Sequence, residues 1–349
     1  MKFLYPLLIF LPVTIIGEIA GFSDTILFIC SSLAIIPLAG LMGKSTEAIS
    51  VYCGQKIGGL LNATFGNATE LIIAFVAMKE GMFDVVKASL AGSVIGNILL
   101  VLGMSMLVGG LKYKTQVFNR HSMNITASML LFAVLGLAIP AIFTHTMPEE
   151  SLTTQYEGLS VIIAVLMLLI YAMQFVFSFV THKSLYEESV PAEEESHPQT
   201  KLSVSVLVLV ASTVCIAILS EIFVGTIEPM AESAGLSTTF VGIILVPIIG
   251  NAAEHSSAIF MAYKNKMNAA VEIALGSSLQ IILFVMPVLI LLSLFFTPMS
   301  IIFTPFELVA VTASVLIANR VDADGESNWL EGLQLVSVYI MIGAAFFFV

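Results

Sequence analysis

Charged residues are scarce in this sequence of 349 residues: they make up 11 % of the chain, whereas hydrophobic residues make up 58 %. Because soluble domains have about 25 % charged residues, this composition excludes a water-soluble globular protein. The few charges are mostly acidic, and the net charge of −11 argues against a nucleic-acid partner. Three cysteines, Cys30, Cys53 and Cys215, lie in or beside apolar segments without disulfide or zinc spacing. No HExxH pattern occurs, which argues against an intramembrane metalloenzyme, and we predict no catalytic or cofactor-binding residues.

The sequence consists largely of long apolar runs. Runs of about 20 residues recur along the whole chain, and each can cross roughly 30 Å of hydrocarbon as a helix. Polar clusters divide them into predicted spans at 3–20, 24–43, 57–78, 83–110, 121–143, 157–181, 203–228, 236–262, 268–296, 301–319 and 328–349. The first run lacks a clear cleavage site, so we interpret it as a helix and not as a signal peptide. The sequence therefore predicts an all-α polytopic membrane protein with about eleven transmembrane helices.

The positions of lysine and arginine predict how the chain is oriented. Cytoplasmic loops carry an excess of these residues. With the N-terminus in the cytoplasm, eleven of the thirteen basic residues fall on the cytoplasmic side, and only Lys79 and Lys87 fall outside. We therefore predict a cytoplasmic N-terminus and an external C-terminus. The membrane itself is expected to be the plasma membrane.

Two short motifs show an internal repeat. GNATE at 66–70 (the first motif) returns as GNAAE at 250–254 (the second motif), 184 positions later, and LAGSVIGN at 90–97 returns at the same offset as ALGSSLQI at 274–281. A polar, acidic stretch separates the two copies. We predict a leading helix at 1–22, five-helix repeats at 23–181 and 203–349, and an acidic cytoplasmic linker at 182–202. Since five is odd, the repeats are inverted, which is a transporter architecture with its site near the membrane midplane.

Each motif places a glutamate inside an apolar run. Carboxylates within a membrane are energetically expensive and usually functional. Helical spacing predicts that the glycine and asparagine of each motif share the face of its glutamate, with backbone carbonyls freed near both glycines and Pro247. We predict Glu70, Glu254, Asn67 and Asn251 as metal ligands, supported along the ion pathway by Ser93, Asn97, Ser277, Gln280, His255, Gly66 and Gly250.

An oxygen-only set with two negative charges favours a hard divalent cation. Calcium accepts irregular coordination by several oxygens, whereas magnesium retains its waters and requires an octahedron. Soft metals would need cysteine, methionine or clustered histidine. His255 lies about 100° around the helix from Glu254, and either a hydrogen-bonding or proton-relay role or plain packing remains open for it.

Other carboxylates have alternative interpretations. Glu221 and Glu307 fall near predicted outer ends of spans, where they could line an external vestibule, although solvated interfacial residues are the favoured interpretation. The glutamates between 187 and 195 could bind regulatory calcium, but they lack the alternation of an EF-hand loop. A solvated linker is therefore favoured for that stretch.

GNATELI at 66–72 and GNAAEHSSAI at 250–259 resemble the two signature repeats of the calcium/proton exchangers, within the calcium/cation antiporter superfamily. The similarity in topology covers essentially the whole chain. The resemblance implies an eleven-helix fold of one leading helix and two inverted repeats. It also implies that Glu70 and Glu254 bind the transported ion, with Asn67 and Asn251 beside them.

The identity of the counter-ion follows from a departure within this superfamily. Sodium/calcium exchangers typically carry further acidic or amide ligands on the helix after each signature, whereas here Ser93, Asn97, Ser277 and Gln280 include no carboxylate. We therefore expect calcium export in exchange for protons by alternating access. The alternatives are a sodium-coupled calcium exchanger and a passive divalent cation channel, although a site duplicated within one chain differs from the rings that build channels. The expected partners are calcium, protons and the lipid bilayer, and a homo-oligomer remains open.

Overall fold

A computed structural model of the protein describes residues 2–144, 152–182, 200–321 and 324–348. These residues are mostly helical, as the apolar runs predict. The acidic stretch at 183–199, with the glutamates between 187 and 195, lies outside the described residues. The predicted linker at 182–202 is therefore described only at its two ends.

The first half of the chain contains seven α-helices and one short strand within the described residues. They are α1 (Phe10–Ala20), α2 (Asp24–Phe65), α3 (Ala68–Lys79), α4 (Phe83–Ile95), α5 (Leu102–Tyr113), β1 (Thr115–Val117), α6 (Arg120–Thr144) and α7 (Leu152–Val176). A 3₁₀ helix (Lys2–Ile9) precedes α1, and π-helical segments follow α4 (Gly96–Val101) and α7 (Phe177–Thr181). Gly54, at φ 76° and ψ 166°, interrupts α2 with a backbone conformation that only glycine adopts readily.

The second half begins with α8 (Leu202–Gly225) and ends with α16, again counting described residues only. Between them lie α9 (Ile227–Ala234), α10 (Thr238–Phe240), α11 (Val246–Gly250), α12 (Ala252–Tyr263), α13 (Met267–Gln280), α14 (Met286–Ser293), α15 (Pro305–Val321) and β2 (Glu326–Asn328), before α16 (Trp329–Phe347). Two π-helical segments, Val241–Leu245 and Ile281–Val285, join α10 to α11 and α13 to α14. Strands β1 and β2 pair antiparallel, with Gln116 opposite Ser327.

Seven helices of the described chain are long and apolar enough to cross a membrane, or eight if a pair bent by 117° counts as one span. The bent pair is Ile227–Ala234 with Thr238–Gly250. Helical segments occupy the remaining predicted spans, but they are short or broken: the third span is divided near Asn67, and α15 has 17 residues. The count of eleven therefore stays a prediction.

The chain forms two compact units. Among the described residues, the first comprises 2–89 and 200–256, and the second comprises 90–144, 152–182, 257–321 and 324–348, so α4 and α12 each contribute to both. Within the first unit, α2 packs along α8, with the rings of Phe28 and Phe223 stacked at 5.0 Å between centroids. Within the second unit, α5 packs along α16.

Three glycines allow α5 and α16 to approach closely. A Cβ at Gly332 would collide with the backbone nitrogen of Leu107, and a Cβ at Gly110 would collide with the backbone of Trp329. A Cβ at Gly103 would lie 3.0 Å from the carbonyl oxygen of Gly332. Backbone atoms cannot move aside as side chains can, so this interface depends on glycine.

The variant Gly332→Ala is expected to destabilise the protein by about 1–3 kcal/mol, the usual cost of overpacking a core. The control is Gly276→Ala, because a Cβ at Gly276 meets nothing within 4 Å. Heat-induced loss of folded protein in detergent measures both variants. Equal midpoints for Gly332→Ala and the control would show that the helices do not depend on this close contact.

Candidate functional site

Both motifs interrupt their helices at the asparagine. Asn67 has φ −99° and ψ 25°, and Asn251 has φ −93° and ψ 5°. This sparsely populated backbone region is common at functional sites. The Asn251 side chain competes for the local backbone, since both its Nδ2 and its backbone N donate to the carbonyl of Pro247, at 3.0 and 2.9 Å.

These breaks bear on the prediction that the glycine and asparagine of each motif share the face of its glutamate, because that prediction assumes one continuous helix. In the first motif α2 ends at Phe65 and α3 restarts at Ala68, although Gly66 keeps helical angles of φ −56° and ψ −49°. In the same way α11 ends at Gly250, before Asn251, and α12 starts at Ala252. The carbonyl of Pro247 itself accepts both donors of Asn251. Because proline lacks an N–H, the carbonyl that it leaves without a donor lies about one turn earlier, so a freed carbonyl near Pro247 stays a prediction. At the second motif the Asn251 side chain contributes to the break, because it bonds the local backbone.

The second motif lies directly against the carboxylate of the first. Glu70 is in the first turn of α3 and is only 8 % exposed. A Cβ at Gly250 would lie 3.4 Å from Oε1 of Glu70, so the backbone of the second motif borders this carboxylate. Oε2 of Glu70 is buried and has no hydrogen-bond partner among the described residues. The structure thus brings together two segments that are 184 positions apart.

Glu254 lies on the same side of the second motif break as α12. It is half-buried in the first turn of α12, four positions after Gly250, whose backbone borders Glu70. Burial and mutual repulsion disfavour two ionised carboxylates, whereas the positive end of each helix favours them. A divalent cation or bound protons would relieve this conflict.

Each motif also contains a buried amide side chain. Asn67 is 1 % exposed and Asn251 is fully buried. The described residues contain no group of three or more His, Cys, Asp or Glu that could hold a metal ion. A cation held here would therefore rely on amide or backbone oxygens beside the two carboxylates. His255 is also buried, at 9 % exposure, and its role stays open.

The remaining predicted pathway residues lie in the second compact unit. Ser93, Asn97 and Ser277 are buried, and Gln280 is half-buried. Their contribution to the ion pathway stays a prediction.

Glu307 is neither a vestibule residue nor a solvated one. It is 2 % exposed, and its Oε2 accepts hydrogen bonds from the backbone N and Oγ1 of Thr304, both at 2.9 Å. In return, the backbone N of Glu307 donates to Oγ1 of Thr304 at 3.3 Å. This reciprocal capping box starts α15, so both sequence interpretations of Glu307 were wrong. Glu221, by contrast, is exposed on α8.

Comparison with known proteins agrees with the fold and the motifs. A family model described as "Sodium/calcium exchanger protein" matches residues 23–180 and 204–348. A protein named Ca(2+)/H(+) antiporter from Aphanothece halophytica is 45 % identical over 361 residues, covering 99 % of this chain and 96 % of the relative. The Ca(2+)/H(+) antiporter ChaA of Bacillus subtilis is 46 % identical and covers 96 % of each chain.

Solved structures show the same similarity. Native YfkE is 42 % identical with a TM-score of 0.84, covering 99 % of this chain and 100 % of that one. A structure named H+/Ca2+ exchanger CAX is 15 % identical with a TM-score of 0.72, covering 99 % of this chain and 92 % of that one, and shows the fold alone. The predicted resemblance to calcium/proton exchangers is confirmed. On its motifs, fold and relatives, the chain belongs to the sodium/calcium exchanger protein family.

Proposed function

We propose that this protein is a secondary antiporter that exports calcium from the cytoplasm in exchange for protons. One observation carries the proposal: the backbone of Gly250 borders the buried carboxylate of Glu70. This contact between the repeated motifs supports a site shared by Glu70 and Glu254. The names of the relatives, which are antiporters, support transport and not enzymatic catalysis.

Calcium is the proposed substrate, bound by Glu70 and Glu254 with the amide oxygens of Asn67 and Asn251. Calcium accepts six to eight oxygen ligands in irregular geometry, and its two charges match two carboxylates. Ser93, Asn97, Ser277 and Gln280 would line the pathway, with His255, Gly66 and Gly250 beside the ligands. Because none of the first four is acidic, protons are favoured over sodium as the counter-ion.

We also propose the repeat arrangement: a leading helix at 1–22, inverted five-helix repeats at 23–181 and 203–349, and a linker at 182–202. Irregularities of the helices recur at the same offset of 184 residues. The asparagine breaks recur at Asn67 and Asn251, and the π-helical stretch within Gly96–Val101 recurs at Ile281–Val285. The family match, which falls in two stretches with similar limits, supports this division.

We place the protein in the plasma membrane. It would cross the membrane eleven times, with a cytoplasmic N-terminus, an external C-terminus and its basic loops inside. An inward proton gradient would then drive calcium out of the cell. Alternating access at one duplicated site favours an exchanger over a passive channel.

Calcium uptake into proteoliposomes tests this function directly. An acidic lumen is expected to drive uptake, because protons leave as calcium enters. A sodium-loaded lumen at equal pH is expected to drive none. Uptake driven by sodium alone would support the sodium-coupled alternative. A channel would be identified by calcium flux that needs no counter-ion and that only equalises the calcium concentration across the membrane.

The variant Gly250→Ala is expected to weaken calcium binding without unfolding the protein. The added methyl group would make ordinary contact with Glu70, at 3.4 Å from Oε1 and 3.7 Å from Cδ. It would occupy space beside the carboxylate that a bound cation needs. We expect the KM for calcium to rise about tenfold, equivalent to roughly 1.4 kcal/mol.

The matched control is Gly158→Ala, because a Cβ at Gly158 meets nothing within 4 Å. Its KM is expected to stay unchanged. An unchanged KM in Gly250→Ala as well would place the cation away from this side of Glu70.

A further inference from the structure

The C-terminal end of α12, the helix that carries Glu254, is held by side chains from a distant segment. Gln116 Nε2 donates to the carbonyl of Ala262 at 2.9 Å, and Lys112 Nζ donates to the carbonyl of Tyr263 at 2.9 Å. The hydroxyl of Tyr113 also donates to the Tyr263 carbonyl, at 3.1 Å. The last carbonyls of a helix have no partner within it. Lys112 and Tyr113 satisfy the carbonyl of Tyr263, and Gln116 adds a second donor to the carbonyl of Ala262, which also accepts from the backbone N of Asn265 at 3.0 Å.

Gln116 is built into its position. It is 2 % exposed and occupies the inward-facing position of β1, opposite Ser327 of β2. Its Nε2 donates a second hydrogen bond, at 2.9 Å, to Oδ1 of Asn265. Its Oε1 lies so close to Gly109 that a Cβ there would collide with it. The pairing of β1 with β2, the close approach of Gly109 and the two acceptors of Nε2 together fix the orientation of the Gln116 amide.

The second residue after α12 differs in an informative way from its counterpart after α3. Gly81 and Asn265 are 184 positions apart, and both have positive φ, at 76° and 63°. Glycine adopts this left-handed conformation most cheaply, and asparagine is the usual second choice. The asparagine also offers Oδ1 as an acceptor for Gln116. At the positions equivalent to Lys112 and Gln116 the second half has Phe296 and Ser300, which carry neither an ammonium nor an amide.

We propose that Gln116 and Asn265 form a clamp that positions Glu254 for calcium binding. Glu254 precedes Ala262 by eight residues, about 12 Å along the helix axis at 1.5 Å per residue. A hydrogen-bonded helix of this length is stiff, so fixing the rotation and height of its end fixes those of Glu254. Gln116 does not contact the ion and acts as a positioning residue. This inference rests on the proposed calcium site.

The test is Gln116→Met, which keeps the length of the side chain and removes both donors. Lys112 and Tyr113 still hold the carbonyl of Tyr263 in this variant, so the end of α12 is loosened and not released. We expect this loosening to let Glu254 depart from the geometry that calcium requires. In proteoliposomes with an acidic lumen, the KM for calcium is expected to rise about tenfold, equivalent to roughly 1.4 kcal/mol, while Vmax changes little. Calcium titration of the detergent-solubilised protein should show the same loss of affinity.

Substitutions at Asn265 separate positioning from folding. Asn265→Asp keeps an acceptor for Gln116 and is expected to retain the normal KM. Asn265→Gly keeps the left-handed backbone but removes the acceptor, and its KM is expected to lie between those of the wild type and Gln116→Met. Gln334→Met, at an exposed position of α16, controls for the substitution itself.

Two results would overturn the clamp. One is a normal KM in Gln116→Met. The other is a fall in Vmax that parallels lost thermal stability at constant KM, because it would reduce Gln116 to a folding role. If the wild-type protein showed no proton-driven uptake, the proposed function itself would fail, which is a separate outcome.

Discussion

Replacing Glu70 with glutamine is expected to abolish calcium–proton exchange while leaving the protein folded. Glutamine keeps the size of the side chain and much of its hydrogen bonding, but it removes one of the two negative charges that balance a divalent cation. Transport at a fixed calcium concentration should fall more than about 100-fold, equivalent to over 2.8 kcal/mol. Glu254→Gln is expected to have the same effect, because the site needs both charges.

The measurement is proton-driven calcium uptake by each purified variant. Glu221→Gln is the matched control, because Glu221 is exposed on α8 and has no place in the proposed site. It is expected to transport normally. Thermal unfolding in detergent checks that the three variants are equally folded. Near-normal transport by Glu70→Gln or Glu254→Gln would refute the proposed site.

Glu70 and Glu254 were predictable because the sequence states them twice. A carboxylate in a long apolar run is rare, and two of them in repeated motifs leave few other interpretations. That the two carboxylates form one site stays a prediction from the repeat. The backbone of Gly250 against Glu70 was not predictable, because a close approach between two segments is a property of tertiary packing.

The helix limits were predicted less well, for physical reasons. The predicted span at 24–43 stops at Lys44, yet α2 continues through this lysine to the break at Gly54. Polarity marks where a helix leaves hydrocarbon, and a helix can continue beyond that point. Lys44, which lies outside the predicted span 24–43, is near Tyr5: its Nζ is 3.4 Å from the tyrosine hydroxyl.

Two polar interactions differ in how far the sequence could reveal them. Thr304 and Glu307 fit the spacing of a capping box, so the role of Glu307 could have been recognised from sequence. The hydrogen bond from Gln116 to Ala262 joins positions that are 146 apart and leaves no local pattern. The only sign of this hydrogen bond in the sequence is Asn265, because the equivalent position of the first repeat is Gly81.

Calcium binding is expected to release protons from Glu70 and Glu254 themselves. Without a cation, two ionised carboxylates in a low-dielectric site repel each other and lack solvation, so the empty site takes up protons. Calcium supplies two positive charges and displaces those protons. Each loaded state is then near neutral, whereas the empty charged state is disfavoured. An exchanger needs this property, because its helices should move only when loaded with one ion or the other.

The same competition predicts a dependence on pH. Protons and calcium compete for one pair of carboxylates, so the affinity for calcium should weaken as the pH falls. Proton release per calcium should be largest where both glutamates begin protonated, and it should disappear at a pH high enough to leave both ionised.

Proton release in weak buffer tests the central claim most directly. Calcium is added to the detergent-solubilised protein near neutral pH, and the released protons are counted with a pH indicator. The account predicts close to two protons per bound calcium, the number that two carboxyl groups can hold, with a sharp fall in Glu70→Gln. Calcium binding without proton release at any pH near neutrality would contradict it.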